Sequence, residues 1–168
     1  MNNFFKILFP KKANNSFEGY QIVIYTLLFF NILFFARSLV HFLFQDAGLI
    51  QIAGLKEIVG IPDPNQIIYF FGHLWGLNQL IISIIGFIIL FRYNNLIPLL
   101  FLIYIFQLIG GPIISYFIME SDLSIYYDKT PPGLYLRRIG TIIFILFFIL
   151  SFKKENSNEK FFSFNSIF

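Results

Sequence analysis

Arginine, histidine and glutamine recur at intervals of four residues near the end of the first long apolar segment. Arg37, His41 and Gln45 would lie on one face of a helix, within about 12 Å along its axis. An ionisable side chain inside a membrane costs about 2.5–3.5 kcal/mol on insertion scales, so Arg37 and His41 need water, a partner or a cavity. This face is therefore a candidate for proton transfer or for holding an anionic or carbonyl group.

Other intramembrane polar residues gather at the same level if the apolar segments alternate in direction. They lie in the first half of the second segment, toward the end of the third and at the start of the fourth. The full candidate pocket comprises Arg37, His41, Gln45, His73, Asn78, Gln79, Gln107, Ser115, Glu120 and Arg137. Two interpretations stay open. One is a shared pocket that opens outward, and the other is a set of separate residues in which Arg37 extends to the interface and the histidines bond to nearby oxygens.

The two histidines also allow a cofactor hypothesis. His41 and His73 would differ in depth by only about 5 Å, which is compatible with paired axial haem ligands. A zinc or copper site would need a third ligand from Asp46 or Glu120 in the loops, and the chain has no cysteine to supply a thiolate. Because no catalytic or metal-binding motif accompanies the histidines, no cofactor is predicted and haem is kept as the alternative.

Four long apolar segments must position these residues. The chain has 168 residues, of which 57% are hydrophobic and 12% charged, and its apolar segments have the length that crosses a hydrocarbon core about 30 Å thick. Lipid admits only helices and closed barrels, and four segments are too few for a barrel, so the sequence predicts an all-α, integral membrane four-helix bundle. The predicted spans are 20–44, 66–91, 96–119 and 134–152, between an N-terminal cytoplasmic or interfacial segment, 1–19, and a polar cytoplasmic tail, 153–168.

The charges outside the spans predict an antiparallel, up-down bundle with both termini on the same side. Lysine and arginine gather at the termini and in the turn at Arg92, whereas Asp and Glu gather in the loops on the opposite side. By the positive-inside rule both termini are cytoplasmic, with Arg137 and Arg138 as exceptions. We expect a bacterial inner-membrane protein whose partners are membrane lipids, with a membrane protein complex or a homo-oligomer as further options. The basic residues form no single patch, which argues against nucleic acid.

Small residues mark where the helices would pack. Gly72, Gly76, Ser83 and Gly86 form one stripe along the second helix, which allows a neighbouring backbone to approach closely. In the third helix, Gly110-Gly111-Pro112 removes backbone hydrogen bonds and is typical of a kink or a packing contact.

The four-helix plan, with Gly72-His73-Leu74-Trp75-Gly76-Leu77-Asn78-Gln79 in the second helix, resembles the small DoxX-like membrane proteins. The resemblance implies a redox accessory role and assigns no catalytic residue. Two function hypotheses remain. The first is a non-enzymatic accessory subunit or small-amphiphile-binding protein with a polar pocket in the outer half of the membrane. The second is a membrane redox protein or enzyme that acts on a quinone, lipid or haem at the outer face.

Overall fold

The fold, seen in a computed structural model that describes residues 3–120 and 122–154, is built from helices. Apart from one isolated antiparallel bridge between Leu55 and Tyr127, these residues form no β-structure. The α-helices are α1 (Asn3–Leu8), α2 (Gln21–Leu43), α3 (Asn65–Arg92), α4 (Ile97–Ile113) and α5 (Pro132–Leu150). Shorter turns are a 3₁₀ turn at Asn94–Leu96, a π-helical turn at Ile114–Ile118 and a second 3₁₀ turn at Leu123–Tyr126.

Four segments are long and apolar enough to cross a membrane. They are α2, α3, α5 and the continuous segment Asn94–Ile118, which contains α4 with the turns on either side of it. Their 19 to 28 residues span about 28–42 Å at 1.5 Å per residue. The all-α class and the predicted number of apolar spanning helices are therefore confirmed for the described part of the chain. Most of the predicted tail, residues 155–168, lies outside that part.

Proline and asparagine set where α3 and α5 begin. α3 follows Pro64, and the side chain of Asn65 donates to the carbonyl oxygen of Ile58 at 2.9 Å and accepts from its N–H at 3.0 Å. α5 begins at Pro132, because the fixed φ of proline suits the first helical turn and its missing N–H would have had no partner there. The last residues of these loops therefore define where α3 and α5 begin.

Aromatic rings fill the centre of the bundle between α2, α4 and α5. Phe144 of α5 is fully buried, and the centre of its ring lies 5.1 Å from that of Phe30 and 5.8 Å from that of Phe34, both in α2. The same ring lies 5.3 Å from Phe101 and 5.5 Å from Tyr104, both in α4. Edge-to-face ring pairs contribute about 0.5–1.5 kcal/mol each, so this cluster holds three helices together.

α3 packs against α2 through its stripe of small residues. A Cβ atom added at Gly76 would lie 2.7 Å from both the carbonyl carbon and the Cβ of His41, and one added at Gly72 would lie 2.7 Å from the Cβ of Ala47. Ser83, which belongs to the same stripe, is fully buried. Because there is no room for a side chain at Gly76, the two backbones approach closely there.

A buried polar network crosses the middle of the bundle beside Gly86. The Tyr104 hydroxyl donates to Asn31 Oδ1, and Asn31 Nδ2 donates to the backbone oxygen of Ser83 at 3.1 Å. A Cβ atom added at Gly86 would collide with the Asn31 side chain. The network joins α2, α3 and α4, and it satisfies polar groups that would otherwise be unpaired inside apolar spans.

Connecting segments contact one another in pairs. Asn95 Nδ2 donates to the Lys12 carbonyl oxygen at 2.8 Å, so the segment before α2 lies against the turn before α4. The bridge between Leu55 and Tyr127 joins the loop before α3 to the loop before α5. These contacts tie together segments that are distant in the sequence.

Candidate functional site

The two histidines lie where α2 ends, and their rings face backbone carbonyl oxygens. His41 Nδ1 lies 2.7 Å from the oxygen of Ala47. His73 Nδ1 lies 3.1 Å from the oxygen of His41 and 3.2 Å from that of Phe42, and its Nε2 lies 3.3 Å from that of Gln45. The last carbonyls of a helix have no partner within the helix, so a ring N–H satisfies them in apolar surroundings. This geometry favours the interpretation in which the histidines bond to nearby oxygens.

Asp46 organises the turn that follows α2. Its carboxylate accepts hydrogen bonds from the N–H groups of Gly48, Ile50 and Gln51 at 2.8, 3.0 and 2.9 Å. Burial acts to raise the pKa of this carboxyl, but the backbone hydrogen bonds, of which that from Gln51 is the strongest, outweigh it and hold the pKa below its ordinary value. The ionised carboxylate therefore fixes the turn that presents the Ala47 carbonyl.

Arg37 is half-buried and reaches two other helices. Its Cζ atom lies 4.8 Å from the centre of the Trp75 ring, which is a cation–π contact. The ring of His41 lies against the same indole, with 4.6 Å between the centroids. A Cβ atom added at Gly133 would lie 3.2 Å from a terminal nitrogen of Arg37. The guanidinium therefore lies between α3 and the first turn of α5.

Arg137 of α5 supplies a second guanidinium at this level. It lies one helical turn after Gly133, beside which the Arg37 guanidinium lies, so the two like charges repel each other. A Cβ atom added at Gly111 would lie 2.9 Å from one of its terminal nitrogens. Within residues 3–120 and 122–154, the ion pairs involve lysines and neither of these arginines. The site is therefore electropositive.

Two glycines of α4 and α5 face open space. Apart from its chain neighbours and the backbone of its own helix, no described atom lies within 4 Å of a Cβ atom added at Gly110 or at Gly140, although Gly140 itself is buried. Burial in α4 ends at Leu108, and burial in α5 begins only at Gly140. The buried part of α4 thus ends, and that of α5 begins, at the side of the arginines that lies nearer the aromatic cluster. Gly110 is not a point of close helix contact.

The remaining candidate residues do not join the arginines in one pocket. Asn78 Nδ2 donates to the Leu74 oxygen of its own helix at 3.0 Å, and Ser115 Oγ donates to the Pro112 oxygen at 3.3 Å. These residues also differ in exposure: Gln79 is buried, Gln107 and Ser115 are half-buried, and Gln45, Asn78 and Glu120 are exposed. The structure therefore brings Arg37 near Arg137 and places His73 against the carbonyl oxygens of His41 and Gln45, while the side chains of Asn78 and Ser115 bond within their own helices.

Three residues that shape the site were not among its predicted members. Trp75 contacts both Arg37 and His41, and Asn31 with Tyr104 forms the polar network less than two helical turns from Arg37 along α2. The sequence contained a signal for one of them, because Asn31 is an asparagine within an apolar span and a polar side chain at that depth needs a partner.

The histidine geometry does not fit haem. Paired axial ligation needs one ring nitrogen from each histidine directed at a shared iron. Both ring nitrogens of His73 instead lie within 3.3 Å of carbonyl oxygens, so His73 has no nitrogen directed at an iron. Within the described part of the chain, there is also no group of three His, Cys, Asp or Glu side chains arranged to hold a metal ion.

Comparison with protein-family models, with curated proteins and with solved structures finds no significant match to this chain. The DoxX-like resemblance therefore stays a prediction, and the function is argued from the geometry of the arginine site.

Proposed function

We propose that this chain is a multi-pass integral membrane protein that binds a small amphiphile, whose anionic head lies between Arg37 and Arg137. The observation that carries the proposal is the presence of two arginines at the first turns of α5, where the Arg37 guanidinium lies beside Gly133 and Arg137 follows one helical turn later, with neither paired to a carboxylate of the described residues. Four apolar helices of spanning length support the membrane location.

The positive charge of the two arginines favours the binding of an anionic group. Insertion scales assign about 2.5–3.5 kcal/mol to one arginine at the centre of a spanning helix, and mutual repulsion adds to this cost. The Trp75 ring offsets only part of it, since a cation–π contact contributes about 0.5–2 kcal/mol. A carboxylate, sulfate or phosphate group would neutralise the charge and accept paired hydrogen bonds from each planar guanidinium.

The space next to the arginines suits an apolar tail. Gly110 and Gly140 border this space, and Gly140 lies about one helical turn deeper than Arg137. Apolar residues precede both glycines, Ile109 before Gly110 and Ile139 before Gly140, and the hydroxyl of Thr141 after Gly140 is bonded to the Arg137 oxygen of its own helix. An alkyl or isoprenoid chain would fill the space, whereas a free inorganic anion would leave it empty.

We place the four helices in an antiparallel, up-down arrangement in a bacterial inner membrane, with both termini in the cytoplasm. Support comes from the contact of Asn95 with Lys12 at one end and the bridge of Leu55 with Tyr127 at the other. Most lysines outside the spans belong to the first end, in agreement with the positive-inside rule. The arginine site then lies in the outer half of the membrane.

Native mass spectrometry of the protein purified in mild detergent tests the proposal. We expect the wild-type protein to carry an acidic amphiphile, which extraction and mass measurement would identify. Arg37→Gln and Arg137→Gln should each lower its occupancy at least about tenfold, since a charged hydrogen-bonded contact contributes roughly 1.5–3 kcal/mol. Arg138→Gln removes the same charge from the adjacent, exposed residue and should leave the occupancy unchanged.

Two outcomes would contradict the proposal: a wild-type protein that is always empty, or equal occupancy in all three variants. A stoichiometric protein partner on an otherwise empty chain would instead favour an accessory subunit.

A further inference from the structure

A second cationic site lies at the other end of the bundle, where α1, the segment before α2 and the end of α5 meet. These segments form a cleft of about 160 Å³. Three lysines, Lys6, Lys153 and Lys154, line it together with one acidic residue, Glu18. The lysines come from two segments that are far apart in the sequence.

Aromatic packing holds α1 beside the end of α5. The Phe4 ring stacks on that of Phe152 with 4.7 Å between centroids, and it meets the Phe148 ring edge-on at 6.5 Å. Leu8, the last residue of α1, is buried. The fold therefore sets Lys6 and Lys153 on the walls of the same cleft.

Positive charge exceeds negative charge in this cleft. Lys154 Nζ lies 2.5 Å from the Glu18 carboxylate, in a pair whose side chains are both largely exposed. Neither Lys6 nor Lys153 forms an ion pair with a carboxylate of the described residues. Two ammonium groups are thus available for an anionic ligand.

Serine hydroxyls and apolar side chains form the rest of the cleft lining. Ser16 and Ser151 contribute to the walls, and Phe17, Pro98 and Phe152 supply apolar surface. Basic pockets at the ends of spanning helices are suited to lipid head groups, whose phosphate meets the cations while the glycerol region meets apolar surface. A soluble phosphate would use only the cationic and hydroxyl-bearing walls.

We infer that this cleft binds a phosphate-bearing anion through Lys6 and Lys153. The apolar walls favour the head group of an anionic phospholipid as its source, and free phosphate is the other source with the same chemistry. The inference is independent of the arginine site, because the two sites share no residue.

The test uses the full chain in nanodiscs that contain equal amounts of phosphatidylglycerol and phosphatidylcholine, with retained lipid measured by native mass spectrometry. We expect the wild-type protein to retain phosphatidylglycerol in preference. In the Lys6→Gln/Lys153→Gln double variant, the preference for phosphatidylglycerol should fall roughly twentyfold or more, because each lysine contributes a factor of about five. Lys11→Gln/Lys12→Gln removes the same charge from the segment between α1 and α2, outside the cleft, and it should stay within about twofold of the wild type.

Two further variants separate charge from folding. Glu18→Gln removes the competing carboxylate and frees Lys154, so the preference for phosphatidylglycerol should rise. Lys6→Arg/Lys153→Arg should restore the preference that the glutamine variant loses.

Added millimolar inorganic phosphate distinguishes the two sources. Retention of phosphatidylglycerol in its presence assigns the cleft to lipid, whereas displacement assigns it to soluble phosphate. Equal preference in the double variant and its control, no preference in the wild-type protein, or no gain in Glu18→Gln would overturn the inference.

Discussion

Asn31 and Arg37 lie less than two turns apart on α2, and each is a polar side chain within an apolar helix. Asn31 finds its partners inside the protein, at Tyr104 of α4 and at the backbone of Ser83 in α3. Arg37 instead meets an aromatic face and a second positive charge. A buried neutral group with satisfied hydrogen bonds stabilises a fold, whereas a charge without a counter-charge indicates a binding site.

Tyr104→Phe should lower the free energy of unfolding by about 1 kcal/mol, because Asn31 Oδ1 loses its donor while the packing of the ring is retained. Thermal unfolding in detergent, followed by circular dichroism, measures the change. Tyr135→Phe, at an exposed tyrosine of α5, is the matched control and should leave Tm unchanged. If Tyr104→Phe unfolds at the wild-type Tm, the hydroxyl contributes nothing to stability.

The shared face of Arg37 and His41 could be expected from the sequence, because an interval of four residues is a local property of a helix. The bond between Asn31 and Tyr104 could not, since the two residues are 73 positions apart. They meet only when α2 and α4 have fixed rotations about their own axes. Likewise, the pairing of Arg37 with Arg137 depends on the position of α5, which a hydropathy pattern does not contain.

Glycine has opposite roles in α3 and α4. At Gly76 the backbone of α2 occupies the space that a side chain would need, whereas at Gly110 that space is empty of described atoms. The same residue type therefore supports close helix packing in one helix and leaves a gap in the other.

Gly76→Ala should lower the free energy of unfolding by about 1–3 kcal/mol, because the added methyl group would force α2 and α3 apart. Gly110→Ala is the matched control and should be neutral or stabilising by up to about 1 kcal/mol, since alanine has the higher helix propensity. Chemical or thermal unfolding of both variants in the same detergent measures the difference. Equal stability of the two would mean that the close approach at Gly76 is not required.

The number of spans could be predicted because each apolar segment is long enough to cross a membrane by itself. The π-helical turn at Ile114–Ile118 could not. Pro112 has no N–H to donate, and its position indicates only that the regular hydrogen-bond pattern is interrupted. In the structure the N–H of Met119 donates to the oxygen of Ile114, five residues earlier, at 2.8 Å. Which hydrogen bonds the backbone forms after a proline depends on the residues that pack around it in the fold.

The whole molecule has two ends of different chemistry, which makes its orientation testable. The chain contains no cysteine, so a single introduced thiol reports its own side of the membrane. Ile61→Cys, in a fully exposed loop position, should react with a membrane-impermeant maleimide in intact cells. Lys11→Cys, in the exposed segment before α2, should react only after lysis. Labelling of both variants in intact cells would contradict the proposed placement of the termini.

The loose packing around Gly110 and Gly140 determines how a ligand would arrive. Much of α5 faces outward, with Ile139, Ile142 and Leu146 all largely exposed, so lipid would border the open space at Gly140 if the helices span a membrane as proposed. A ligand entering there moves sideways out of the bilayer and never crosses bulk water. Occupancy would then follow the mole fraction of ligand in the membrane, falling when lipid is added and staying constant when the buffer volume is increased.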